Sequence, residues 1–194
     1  LFTAIKNGSA AVVTDHIDTF TENGIQLKSG EHLDADIIVS ATGLQLVMMG
    51  GAEITVDGNI VDFAKLWTYK GLMVSDVPNM VSTFGYINAS WTLRADLTAE
   101  WVCKTLNHMA DTNTTSVVPI VPADLLDMPV RNWIADFPAG YLQRVMHLFP
   151  KQGNREPWVN TQDFRRDRTL FNQPLGADTA LQFSQHKEST VKSA

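Results

Sequence analysis

Asp34-Ala35-Asp36-Ile37-Ile38-Val39-Ser40-Ala41-Thr42-Gly43-Leu44 frames the residues on either side of it. Two acidic residues lead into an apolar, β-branched run. The run stops at a small-Thr-Gly turn, and Gly50-Gly51 follows soon after. Nothing polar alternates with Ile37, Ile38 and Val39, the pattern of a strand buried on both faces. Gly43 supplies a position where the backbone can turn sharply or let a ligand come close. A central strand that ends abruptly at a tight turn is where an open α/β sheet holds its ligand. A core strand and turn with no ligand fits the same residues.

Upstream, residues 1–6 read as the end of a helix stopped by Asn7-Gly8. Residues 10–20 have high strand propensity. Asn23-Gly24 is a hairpin turn, because both residue types tolerate positive φ. Ile25-Gln26-Leu27-Lys28 alternates as a half-buried strand does, Ser29-Gly30 turns the chain, and residues 32–41 form the third strand of a small meander. Downstream, Asp57-Gly58 joins two short strands. Residues 72–74 and 80–84 read as further strands, the last ending at Gly85.

Gly85-Tyr86-Ile87-Asn88-Ala89-Ser90 then leads into a helix over residues 91–110, with Ser90 or Asn88 as its N-cap. Leu93, Leu97 and Trp101 form one apolar stripe; Ala95, Ala99, Val102, Leu106 and Met109 form a second. The two together predict a largely buried helix, with Cys103 as a buried, inert thiol. The first turn of a helix offers unpaired N–H groups and a positive dipole end, which suit a developing negative charge. A capped core helix without a ligand has the same sequence signature. Beyond it, residues 117–122 are extended by their prolines, short helical turns follow, and helices are expected over 141–149 and 161–171. Arg165, Arg166 and Arg168 read as a solvated, salt-bridged face. From Asn172 the chain is polar and aperiodic, and a poorly ordered tail is expected.

The 194 residues are 44% apolar and 19% charged, enough to bury a core. A net charge of -6 with no basic stripe argues against nucleic-acid binding. No apolar run reaches membrane-spanning length. The single cysteine excludes an internal disulfide and suits a cytoplasmic location. The chain opens on Leu1 rather than Met and reads as truncated upstream. It contains neither G-x-G-x-x-G nor a Walker loop, so no dinucleotide pyrophosphate site is complete within it. Its five histidines have no ligand spacing, so no metal site is expected.

Asp36-Ile37-Ile38-Val39-x-Ala41-Thr42-Gly43 resembles the crossover strand of flavoprotein monooxygenases with two dinucleotide-binding domains. There it carries the chain from the NADP domain back into the FAD domain. Val12-Val13-Thr14-Asp15-His16-Ile17, Tyr69-Lys70-Gly71-Leu72-Met73, Val77-Pro78-Asn79-Met80, Gly85-Tyr86-Ile87-Asn88-Ala89-Ser90-Trp91-Thr92-Leu93 and Pro150-Lys151-Gln152-Gly153 fit the same group in the same order. Together they resemble the C-terminal part of class B monooxygenases of the Baeyer–Villiger type, over residues 1–171.

The resemblance implies an α/β fold: the β-meander of an NADP domain, then the end of an FAD domain. Residues 1–43 would close the NADP-binding domain, 44–115 would be the C-terminal part of the FAD-binding domain, 116–171 a helical extension and 172–194 a disordered tail. It implies FAD and NADP as cofactors. One oxygen atom from O2 would enter a ketone, or oxidise a sulfur or nitrogen centre. Ala41, Thr42 and Gly43 would sit at the interdomain crossover. Asn88, Ala89, Ser90, Trp91, Thr92 and Leu93 would face the flavin's pyrimidine edge. The family's fingerprints and catalytic arginine match no position here, so no catalytic residue is assigned and the chain alone is expected to be inactive. The expected partner is a small-molecule ketone, thioether or amine, with homo-oligomer formation compatible. Two other readings fit: a flavin N- or S-monooxygenase or related pyridine-nucleotide reductase, and a non-catalytic module that packs on a missing half.

Overall fold

Residues 1–43 form a short helix and a meander. In a computed structural model, which describes residues 1–134, 137 and 139–185, the chain divides into two units, Leu1–Gly43 and Leu44–Ala194. In the first, α1 (Phe2–Lys6) stops at Asn7, with Gly8 at φ 78°. Strands β1 (Ile17–Thr21), β2 (Gly24–Leu27) and β3 (His32–Asp34) pair antiparallel in that order. Thr21 pairs with Gly24, so the turn is Glu22-Asn23, one residue before the expected position. Gly24 is needed inside β2 instead, because a Cβ there would overlap the Leu33 carbonyl oxygen of β3. Residues 10–16, expected in the first strand, lie outside it.

The run at 37–39 departs from its expected place. The third strand ends at Asp34, and Ile37 and Val39 are 82% and 83% exposed. A strand buried on both faces needs a paired neighbour along its edges and a layer over each side. No described residue forms a ladder with 37–43, so the run stays uncovered.

In the second unit, β4 (Thr55–Val56) and β5 (Asn59–Ile60) flank Asp57-Gly58, both at positive φ as the sequence predicts. Strands β6 (Thr68–Tyr69) and β7 (Met73–Val74) turn through Lys70 and Gly71, at φ 51° and 66°. Residues 80–84, expected as a strand, join no ladder; the Ser82 N–H donates to the Leu72 carbonyl. Helix α2 (Trp91–Asp111) comes next, then β8 (Ser116–Pro119) and β9 (Arg131–Asn132). The helix expected over 141–149 is divided into α3 (Gly140–Gln143) and a 3-10 turn at Met146–Leu148. β10 (Lys151–Gln152) pairs with β9. Asp163 caps α4 (Phe164–Phe171), its carboxylate accepting from the Arg166 N–H at 2.9 Å.

The expected disordered tail from 172 is corrected as far as it is described. β11 (Leu181–Ser184) pairs antiparallel with β8, and Ala180 and Leu181 are buried. Residues 186–194 lie outside the described residues. The fold is mixed α/β, and among the described residues its sheets are small, two or three strands each.

The buried residues of α2 are Arg94, Leu97, Thr98, Trp101 and Thr105, with Val102 and Met109 half-buried against the same core. Ala95, Ala99 and Leu106 of the second stripe are exposed, and so is Cys103, which is not the buried thiol expected. Leu97 and Trp101 pack with Trp67, Tyr69, Trp158, Leu170 and Leu181 in the main core. Trp133, Ile134, Leu142, Met146 and Phe149 form a second cluster. Among the described residues no helix is long and apolar enough to cross a membrane.

Candidate functional site

Gly85 sets the geometry where the chain enters α2. A Cβ at Gly85 would overlap the Trp91 indole, so only glycine lets that ring lie against the backbone. Phe84 packs between Trp91 and Trp133, at ring centroid distances of 5.1 and 4.7 Å. Gln162, itself at φ 52°, then holds the loop from below. Its Oε1 accepts from the Ile87 N–H at 3.0 Å, and its Nε2 donates to the Gly85 carbonyl at 3.3 Å. One side chain thus fixes the backbone on both sides of Tyr86.

The residues that follow project from this fixed base. Asn88, Ala89, Ser90, Trp91, Thr92 and Leu93 are all exposed. Ser90 stands at the N-cap with extended backbone, as its residue type predicts, but makes no side-chain bond to a first-turn N–H. Its hydroxyl instead pairs with Thr92 Oγ1 at 2.7 Å. The first turn carries no acidic residue. The N-terminus of a 21-residue helix is therefore left with open N–H donors and an uncompensated positive dipole end. Such a terminus can hold a delocalised negative charge or an acceptor-rich ring edge.

A buried ionic network lies behind the loop. Asp167 is fully buried and accepts from Arg94 Nη1 and Tyr86 OH (2.8 Å) at Oδ2, and from Thr161 Oγ1 at Oδ1. Arg94 Nη2 donates to the Lys70 carbonyl at 2.8 Å. The guanidinium also faces the Tyr86 and Phe171 rings, 5.4 and 5.2 Å from their centroids. Next to it, Lys70 Nζ pairs with Asp178 Oδ2 at 3.0 Å, and Tyr69 OH donates to the same oxygen at 2.5 Å. Gly71 completes the junction: a side chain there would meet Arg94 and Asn160. Burial, then the Asp167 hydrogen bond, pushes the Tyr86 phenol upward. Burial, then the Asp178 carboxylate, pushes Tyr69 up further. Both phenols are held neutral as donors.

Sequence reasoning missed this network. Asp167 sits in Arg165-Arg166-Asp167-Arg168, which reads as a solvated charged face, and Arg166 does pair on the surface with Glu156. The usable signal was Arg94, three and seven residues before Leu97 and Trp101 and so on their face.

The other predicted positions belong to the first unit. Ala41, Thr42 and Gly43 are exposed, and Gly43 adopts φ 100°, a backbone conformation that favours glycine, but no hydrogen-bonded turn forms there among the described residues. Residues 88–93 are brought together at one helix entrance. No group of three or more His, Cys, Asp or Glu side chains among the described residues could hold a metal ion.

Comparison with known proteins places this geometry in context. The chain is 46% identical over 195 residues to the FAD-containing monooxygenase EthA of Mycolicibacterium smegmatis, covering 100% of this chain and 39% of that protein. It is 43% identical over 192 residues to a protein of Acinetobacter baylyi named "Probable FAD-binding monooxygenase AlmA", covering 99% of this chain and 38% of that one. With EthA of Mycobacterium tuberculosis the identity is 46% over 185 residues, 95% of this chain and 37% of that protein. The chain thus spans less than two fifths of the length of the curated relatives it matches. No family model and no solved structure matches it.

Proposed function

This chain is related over its whole length to FAD-containing monooxygenases, and from that premise we propose that it is the C-terminal part of an FAD- and NADPH-dependent monooxygenase. The full-length protein would insert one oxygen atom of O2 into a ketone, or oxidise a sulfur or nitrogen centre. The observation that carries the reading is the open N-terminus of α2, held in place by Gln162 and bare of acidic side chains.

The residues present fit a flavin at that position. The first-turn N–H groups would donate to the pyrimidine edge, and their dipole favours the negative charge that builds there on reduction. Trp91, 55% exposed and braced by Gly85 and Phe84, offers an apolar ring beside it. When bound, the flavin supplies the electron transfer from NADPH and the reaction with O2, and the protein supplies binding, orientation and exclusion of water.

Two features of the first unit support its being part of something larger. Of residues 1–43 only Gly24 and Leu27 are buried, and an isolated meander without a packed face is marginal in water. The exposed run at 37–39 has the composition of a central parallel strand, and a sheet supplied by the remainder of the protein would cover it. Ala41, Thr42 and Gly43 would then mark the crossover between the NADP and FAD domains.

The test is the visible spectrum of the full-length protein together with its NADPH consumption in the presence of a ketone and of a thioether. A yellow protein that oxidises NADPH and oxygenates one of them supports the reading, and a colourless one ends it. The variant Thr92→Glu, which sets a negative charge at the α2 entrance, is expected to lower flavin content while leaving helical circular dichroism unchanged.

A further inference from the structure

A cavity of about 260 Å³ adjoins the Asn88 loop. Its inner amides are committed to the protein itself. Gln152 Nε2 donates to the carbonyls of Asn132 (2.7 Å) and Trp133 (3.1 Å), and its Oε1 accepts from the Asn160 N–H at 3.1 Å. Asn160 Nδ2 donates to the Trp133 carbonyl at 3.2 Å, and its Oδ1 accepts from Gln162 at 3.2 Å. Gln152 and Asn160 are buried, so these bonds fix the shape of the cavity and leave a ligand little to use.

The groups left to a ligand are different. Arg131 lines the cavity and makes no ion pair or side-chain hydrogen bond with a described residue. Arg166 also lines it; its Nε is engaged by Glu156 at 2.9 Å, while its terminal nitrogens remain. The amides of Asn88 and Asn154 also line it, Thr161 and Gln162 being committed to Asp167 and to the loop backbone, and among the described residues no carboxylate is part of the lining. The available groups are therefore mostly donors, and Arg131 is the lining charge that no described carboxylate pairs with. Ile87, Ile134 and Phe137 give the same space an apolar lining. A planar guanidinium that no described residue engages matches a carboxylate bidentately. The volume suits a small organic molecule and is too small for a dinucleotide.

We propose that this cavity binds the carboxylate of a small aliphatic acid, with Arg131 as its anchor and Ile87, Ile134 and Phe137 against its hydrocarbon part. Resting on the reading that residues 88–93 face the flavin edge, the site selects an oxo-carboxylic acid as substrate. The acid group is held at Arg131, takes no part in bond making, and orients the ketone in the space lined by Asn88.

The test is calorimetric titration of the full-length protein with levulinate and with methyl levulinate, in which one methyl group caps the acid end and removes its charge. One charge-assisted bidentate contact predicts that levulinate binds at least about tenfold more tightly than its ester. Arg131→Gln should remove that preference, and Arg131→Lys should keep part of it, since a point charge replaces the fork. Arg131 is exposed, so thermal melting of both variants should match the wild type. Equal binding of acid and ester, or a preference that survives Arg131→Gln, overturns the proposal. Because heat is read rather than colour, the two readings fail separately. A flavin-free protein that still prefers levulinate overturns the monooxygenase reading and leaves the acid site standing. A yellow protein that binds acid and ester alike overturns the acid site alone.

Discussion

Asp167 accepts from three side chains, Arg94, Tyr86 and Thr161, at a place water does not reach. The charges offset one another's desolvation only while both are present. Asp167→Ala should destabilise the protein by about 3–5 kcal/mol, because it strands a buried guanidinium, whereas Tyr86→Phe should cost about 1 kcal/mol for one hydrogen bond. Urea unfolding midpoints compared across the two variants check the ordering. The tyrosines also set an alkaline limit. Tyr69 and Tyr86 have folded pKa values raised above the ordinary 10.0, so they contribute stability that is fully present below that value. The contribution is lost as pH rises, because the unfolded chain releases those protons first. Phenolate absorbance and loss of helical circular dichroism should therefore rise together above pH 10.0.

At the scale of elements, the loop before α2 is positioned by a side chain from far along the chain. Gln162→Ala should leave α2 intact while exposing the Ile87 amide. Hydrogen exchange at Ile87 should speed up, with exchange in the middle of α2 unchanged. Equal acceleration along α2 would mean that Gln162 supports the helix rather than the loop. Local chemistry made several elements legible. Asp57-Gly58 turns as read, because both residues tolerate positive φ, and α2 starts and stops within a residue of its expected limits. The Asn23-Gly24 turn shifted by one because the approach of β3 reserved Gly24 for the strand. The second apolar stripe of α2 held only in part: Val102 and Met109 pack half-buried against the main core, whereas Ala95, Ala99 and Leu106 are exposed and an arginine at Leu97's spacing is buried with a partner.

For the whole molecule, the C-terminal segment is part of the core. Asp178 neutralises buried Lys70, and Ala180 and Leu181 join the main cluster. Truncation after Asn172 should unpair Lys70, uncover Trp101 and Tyr69, and lower the melting temperature by more than Asp178→Asn alone. Differential scanning calorimetry of the two variants checks this; equal melting would mean that the segment after Asn172, with β11, adds nothing beyond the Asp178 carboxylate. The first unit should behave oppositely. In limited proteolysis of the 194-residue chain, cuts within residues 1–43 are expected before any in α2, since almost nothing there is buried.

The sequence by itself determined what depends on near neighbours: the turns at Gly8, Gly30 and Asp57-Gly58, the hairpin strands, the limits of α2 and the loop at residues 85–90. Those features follow from φ preference, capping and periodicity within a few residues. The tertiary structure decided what depends on remote partners. It left Ile37, Ile38 and Val39 uncovered, since burial on two faces requires strands that no described residue supplies. It ordered residues 181–184 against β8 despite their polar surroundings. It also joined Arg94 to Asp167 and Lys70 to Asp178 across 73 and 108 positions of chain. Charge pairing over such separations leaves no local pattern, because the free energy of a buried ion depends on what folds against it rather than on what precedes it.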